Sequence, residues 1–224
     1  MKSRYIVFDL DGTLVDSLPG IAEGVSRALV QLGRSAPAVE QVRGMIGQGA
    51  KNLCAQALGY AEVEDAPPEL LEEMYRHFCR EYPLCWQGEG TRPYEGISEL
   101  LARLAETGVR MGVLSNKPHE VTLPMVQELF GDIPFEPIWG YTGLYPRKPA
   151  PDALLAIAQQ WGAAPAELTL VGDSLYDART ARAAGCRFVP VAWGYAGVEE
   201  LCAAGAPPVQ HMAELAEALL GGAI

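Results

Sequence analysis

Basic side chains are scarce in this 224-residue sequence. Seventeen Lys and Arg stand against 28 Asp and Glu, a formal charge of −11. A chain short of cations is a poor binder of nucleic-acid backbones or anionic lipid, because both need a basic face. Cysteine is also thin. The five, at 54, 79, 85, 186 and 202, are odd in number and contain no CxxC pair. That argues against a disulfide framework or zinc knuckle, and for buried free thiols in a reducing compartment. His77, His119 and His211 show no ligand spacing. No apolar run approaches the ~20 residues that span a bilayer. The run after Lys2 and Arg4 reaches only from Tyr5 to Phe8, too short for a signal-peptide core. The expectation is a soluble, cytoplasmic monomer or homodimer with no nucleic-acid or membrane partner.

What is present is enough apolar material for a core. Hydrophobic residues make up 49% and charged residues 20%, which excludes an intrinsically disordered composition. Short β-branched or aromatic runs at 5–8, 109–114, 168–171 and 188–192, with a weaker one at 137–140, read as buried strands. Helical periods lie between them at 95–107, 121–130, 152–161 and 176–184, and Gly108, Gly131, Gly162 and Gly185 sit just past their ends. Strand alternating with helix predicts an α/β fold: a Rossmann-like parallel sheet with helices on both faces.

One segment breaks the alternation. From 16 to 88 the periods are helical (18–32, 50–58 and 69–82), with no convincing strand. The pattern predicts an inserted all-α subdomain over 16–88 and a core formed by 1–15 and 89–224. The joints fall near 16–18 and 87–91, where Gly88 and Gly90 suggest a flexible hinge. Tyr82 and Trp86 read as core of the insert.

Asp9-Leu10-Asp11-Gly12-Thr13 follows the first strand directly. Ligands of open parallel sheets bind beyond the carboxyl ends of strands. On extended backbone Asp9 and Asp11 point the same way, and two close carboxylates want a cation or a shared proton. A pair of turn aspartates before glycine is the plainer alternative. Other strand ends add Ser115-Asn116-Lys117-Pro118 near a helix start, a natural phosphate cradle, and Gly172-Asp173-Ser174 with Asp177 four residues beyond Asp173. The loop Arg147-Lys148-Pro149-Ala150-Pro151-Asp152 adds a cation. Taken singly, Ser115 could be a helix cap, Lys148 a solvated lysine and Asp177 an exposed helix residue. Their coincidence on one rim carries the weight.

With these motifs the sequence resembles the haloacid dehalogenase superfamily of aspartate-nucleophile phosphatases along essentially the whole chain. The four matching motifs are Asp9–Thr13, Ser115, Lys148 and Gly172–Asp177. The insert resembles the superfamily's C1-type helical cap. Within the superfamily, Arg92–Gly96, Leu114–Pro118 and Arg147–Asp152 are similar to the phosphoglycolate phosphatase group. The resemblance implies a Mg²⁺-dependent phosphomonoesterase acting on a small phosphorylated metabolite. It implies Asp9 as nucleophile, Asp11 as acid and then base, and Ser115, Asn116, Thr13 and Lys148 around the phosphoryl group. It implies Mg²⁺ held by Asp9, the backbone carbonyl of Asp11 and Asp173, with Asp177 a ligand through water or an orienting group. Tyr176 stands where the family often has Asn.

The choice of substrate should come from the insert, where 43–51 offers Arg43 and three glycines. Arg43 either pairs with a substrate carboxylate, as 2-phosphoglycolate would require, or is a solvated arginine on a flexible loop. A sugar phosphate, pyrophosphate or nucleotide is the alternative substrate, and a phosphomutase the alternative outcome. A dehalogenase is disfavoured because that chemistry has no use for Asp11. A phosphonate hydrolase is disfavoured because Lys51, the insert's one lysine, has no evident partner. A non-catalytic phosphorylatable or structural relative is the alternative of another class.

Overall fold

The structure, a computed structural model, describes residues 3–87 and 89–221. The chain forms two compact units, Met1–Val15 with Pro93–Ile224, and Asp16–Arg92. Numbered along the chain, its strands are β1 (Tyr5–Phe8), β2 (Val15–Asp16), β3 (Arg92–Pro93), β4 (Arg110–Pro118), β5 (Phe135–Tyr141), β6 (Leu168–Gly172) and β7 (Arg187–Pro190).

The first unit is organised by a five-stranded parallel sheet in the order β5-β4-β1-β6-β7. Its strands need apolar side chains in both directions, since helices cover both faces of such a sheet. Ile6, Val7 and Phe8 of β1 are accordingly all fully buried. From β1 the chain moves to β4 and β5 on one side, then crosses back to β6 and β7 on the other. Right-handed crossovers running in opposite directions place their helices on opposite faces. On one face, Val7, Leu114, Leu168 and Leu170 form a core with Leu154, Ile157 and Trp161 of helix Asp152–Trp161 and Ala181 of helix Leu175–Ala184. Each large side chain buried there contributes about 1.5–3 kcal/mol.

The register decides where chemistry can gather. Phe8 pairs with Val113 on one side and Val171 on the other. The three central strands therefore reach the same rim together. Asp9 follows Phe8, Ser115 lies two residues past Val113, and Asp173 two past Val171. This rim is where the strand order reverses, the place such sheets use for ligands.

The second unit contains helices Leu18–Gln31, Val39–Arg43, Ala50–Ala57 and Pro68–Cys85. The first and last pack closely, because Gly24 lets the backbone come near Tyr82, whose ring stacks on Phe78 at 5.1 Å. Tyr82 and Trp86 are buried.

Several expectations need correction. β4 continues to Pro118, past the expected end at 114, and helices Val198–Ala203 and Met212–Leu220 had no sequence forecast. Short helix Val39–Arg43 also went unread, so Arg43 closes a helix where a loop was expected. Gly88 lies outside the described residues. Gly90 is a point of close packing, not a free hinge. Its carbonyl accepts the Gly20 N–H at 2.7 Å, and any Cβ there would strike the Cys85 carbonyl. Among the described residues the five cysteines form no disulfide, and Cys54 and Cys85 are buried, but Cys79 and Cys202 are exposed, contrary to expectation. Burial pushes the thiol of half-buried Cys186 up to about 11, which keeps it protonated and unreactive at neutral pH.

Candidate active site

Three buried carboxylates meet at the shared rim. Oxygens of Asp9, Asp173 and Asp177 all lie within 4.8 Å of one another. A tight turn makes this possible. The Asp9 N–H donates to Val171 C=O at 2.9 Å, Gly12 N–H donates to Val15 C=O at 2.9 Å, and Gly12 has φ +81°. Glycine is required at 12 for two reasons. A side chain strains in that backbone region, and its Cβ would collide with the Asp173 carboxylate.

Lys148 ties the cluster together. Its Nζ lies 2.8 Å from Asp9 Oδ1 and 2.7 Å from Asp177 Oδ1, with only 4% of its side chain exposed. Asp9 Oδ1 also accepts the Leu10 N–H at 2.7 Å. Both contacts fall on Oδ1, which leaves Oδ2 on the other side of the carboxyl. Asp177 is fully buried and doubly engaged, since Oδ2 accepts from the N–H and hydroxyl of Ser174. Asp173 Oδ1 accepts the Thr13 hydroxyl at 3.1 Å, and Oδ2 accepts the Tyr195 N–H at 2.7 Å.

The electrostatics follow from burial and like charge. Burial, then the neighbouring Asp177 and Asp173 carboxylates, push Asp9 well above the usual carboxylate range, against the pull of Lys148. Burial and Asp177 raise Asp173 to about 6, although Tyr195 and Thr13 donate to it. Burial alone would lower the Lys148 ammonium, but Asp177 and Asp9 outweigh it and hold the cation charged. One buried cation against three buried carboxylates leaves negative charge in excess, the condition that favours protonation or a further cation.

The structure brings most of the expected residues together. Lys148, read alternatively as solvated, and Asp177, read alternatively as exposed, are both buried, and Ser115 is a buried strand residue with no capping role. Ser115 Oγ accepts the Lys117 N–H at 3.2 Å. Thr13 and Asn116, expected beside the phosphoryl group, point their side chains to other work. Thr13 donates to Asp173. The Asn116 amide clasps the Lys148 backbone, donating to its C=O at 2.9 Å and accepting its N–H at 2.8 Å. Arg43 belongs to the second unit, where it pairs with Glu40 at 3.3 Å.

Two contributors went unread. Lys117 places its Nζ 2.7 Å from Asp11 Oδ1. Extended backbone through Pro118 would have signalled it, since Ser115 and Lys117 are two residues apart. The 194–195 segment supplies the Tyr195 N–H, and Gly194 leaves room for the Asp173 side chain, which a Cβ would hit. No sequence pattern marked that approach.

Residues 6–191 match the family model for haloacid dehalogenase-like hydrolases. The chain belongs to the haloacid dehalogenase-like hydrolase family. Among curated relatives of this hydrolase, phosphoglycolate phosphatase of Pseudomonas putida is 37% identical over 196 residues, covering 86% of this chain and 70% of the relative. Phosphoglycolate phosphatase of Escherichia coli K12 is 34% identical over 207 residues, covering 86% and 82%. A solved structure from Lactobacillus delbrueckii subsp. bulgaricus superposes with a TM-score of 0.89 at 29% identity, covering 99% of this chain and 100% of that one. In this haloacid dehalogenase-like hydrolase the clustered donors are all carboxylate oxygens. That is the chemistry of a hard divalent cation such as Mg²⁺ and unlike a zinc or copper site. Among the described residues, no helix is long and apolar enough to cross a membrane.

Proposed function

We propose that the protein is a Mg²⁺-dependent phosphomonoesterase that hydrolyses a small phosphate ester, with 2-phosphoglycolate as first substrate. The observation that carries this reading is the clustering of Asp9, Asp173 and Asp177 at the sheet's switch point, with buried Lys148 on Asp9 and Asp177. The names of the curated relatives support the substrate.

In the reaction we infer, the Asp9 carboxylate attacks phosphorus while the P–O bond to the alcohol breaks. Asp11 gives the departing alkoxide its proton. Asp11 then takes a proton from water, which attacks the aspartyl-phosphate, releases inorganic phosphate and restores Asp9. Lys148, already on Asp9 Oδ1, offsets charge as nucleophile and phosphoryl group meet. At an intermediate effective dielectric such a contact is worth roughly 4 kcal/mol at about 4 Å. Ser115, on β4 and lining a pocket together with Lys148, is assigned to hold a phosphoryl oxygen. Asp9 and Asp173, with the Asp11 carbonyl, are the groups assigned to Mg²⁺. Asp177 orients Lys148 and Ser174, because both its oxygens accept bonds from protein donors. When bound, the metal offsets the repulsion between the anionic nucleophile and the anionic phosphate. The choice of substrate is assigned to the inserted helical unit, which resembles the family's C1-type cap.

The substrate is tested by ranking kcat/KM across phosphate esters. The expected order puts 2-phosphoglycolate above sugar phosphates, pyrophosphate and nucleotides. A preferred sugar phosphate or nucleotide would replace 2-phosphoglycolate while leaving the chemistry intact.

Metal binding should depend on pH with a defined sign. Burial and Asp177 push Asp173 up to about 6 in the metal-free fold, against 3.8 for an ordinary aspartate carboxyl. Between those values the folded state keeps a proton that the unfolded chain has lost. The Asp173 contribution to metal-free stability therefore falls as pH rises through that window. Mg²⁺ needs the ionised carboxylate, so its affinity rises with pH through the same window. The Mg²⁺-induced rise in Tm, followed by calorimetry, is expected to be clearly larger near about pH 7.5 than near about pH 5. Equal increments would contradict a site that uses Asp173.

A further inference from the structure

Lys117 is a buried lysine that the proposed reaction does not use. Its side chain is 5% exposed, and its Nζ lies 2.7 Å from Oδ1 of Asp11, itself only 12% exposed at the side chain. Its backbone is pinned as well. The N–H donates to Ser115 Oγ at 3.2 Å, and the C=O accepts the Thr122 hydroxyl at 3.3 Å. Lys117 and Lys148 divide their work. Lys148 contacts Asp9 and Asp177, and Lys117 contacts Asp11. A buried ammonium is costly unless paired, so this pairing constrains both partners.

We propose that Lys117 is a positioning residue for Asp11, holding one carboxyl oxygen so that the other faces the leaving oxygen of the substrate. The proposal rests on the reading of Asp11 as proton donor. A carboxyl group with one oxygen anchored loses its freedom to rotate, and the second oxygen is placed by covalent geometry. Proton transfer requires hydrogen-bond reach, and a misplacement of about 1 Å costs on the order of 100-fold. Anchoring should therefore count where the leaving group needs a proton and not where it leaves unaided.

The experiment compares the first-turnover release of alcohol from 2-phosphoglycolate, which departs as a basic alkoxide, and from p-nitrophenyl phosphate, which departs as a stable phenolate. Lys117→Met is expected to slow release from 2-phosphoglycolate by about 10- to 100-fold, and from p-nitrophenyl phosphate by less than about 3-fold. KM should change little for either. Lys117→Arg should keep the bias at smaller amplitude, and it serves in place of Lys117→Met if that variant fails to fold. Asp11→Asn should show the same bias more strongly, and adding Lys117→Met to it should slow release no further. Equal losses on both substrates, or none, with the Asp11→Asn bias present, would reduce Lys117 to a structural ion pair. Absence of the bias in Asp11→Asn would overturn the proton-donor reading and this inference with it.

Discussion

Replacing Asp9 with Asn should reduce phosphate release by about 10⁵-fold or more, the scale of loss when a covalent nucleophile is removed. The amide has nearly the shape of the carboxyl but a far weaker nucleophilic oxygen. The same change should not harm the metal-free fold. The Asp9 carboxyl is pushed upward first by burial and then by Asp177 and Asp173, so its charge is held at a cost. Neutralising it removes that cost, while Lys148 keeps its 2.7 Å contact to Asp177. The expected result is an inactive protein whose Tm without metal is equal to or above the parent's. Mg²⁺ should still bind with lower affinity, because Asp173 remains. Activity loss accompanied by unfolding would mean that Asp9 had a structural role instead.

Lys148→Met should fail in both respects. It removes a cation that contacts both Asp9 and Asp177, the latter fully buried. Breaking a buried pair by removing one partner typically costs about 3–5 kcal/mol, because the other charge stays uncompensated. For a chain of this length that corresponds to a fall in Tm on the order of 10 °C. Turnover should drop by roughly 10³-fold through loss of charge compensation at the phosphoryl group. Calorimetry and steady-state kinetics read the two effects separately. The contrast with Asp9→Asn is informative: one substitution removes an excess negative charge, the other the cation that offsets it. A Lys148→Met variant with unchanged Tm and near-normal turnover would show that the cluster does not depend on this lysine.

Sheet, strand positions and the motif-bearing turns were legible in the sequence because each rests on a local signal. β1 is a run of Tyr5-Ile6-Val7-Phe8, and helix Asp152–Trp161 has a regular apolar stripe closed by Gly162 in the left-handed conformation. The carboxylate cluster was legible because Asp9 and Asp173 each follow a strand. Register then brings them together. What escaped had no local signature. Lys117 looked like part of a helix entry until β4 was seen to run extended to Pro118. Asn116 looked like a phosphate ligand because its amide could serve, yet its spatial partner is the Lys148 backbone, 32 residues away. Gly90 read as a hinge because glycine permits motion, but glycine equally permits the close contact with the Cys85 carbonyl found there. Which use prevails depends on tertiary neighbours, and a single sequence does not list them.

The most direct test of the central claim is inorganic phosphate release from 2-phosphoglycolate by the full chain, measured with Mg²⁺, with EDTA, and for Asp9→Asn with Mg²⁺. The account predicts steady release in the first case and release near the uncatalysed level in the other two. Release that persists in EDTA, or in a folded Asp9→Asn variant, would contradict a metal-dependent reaction through Asp9.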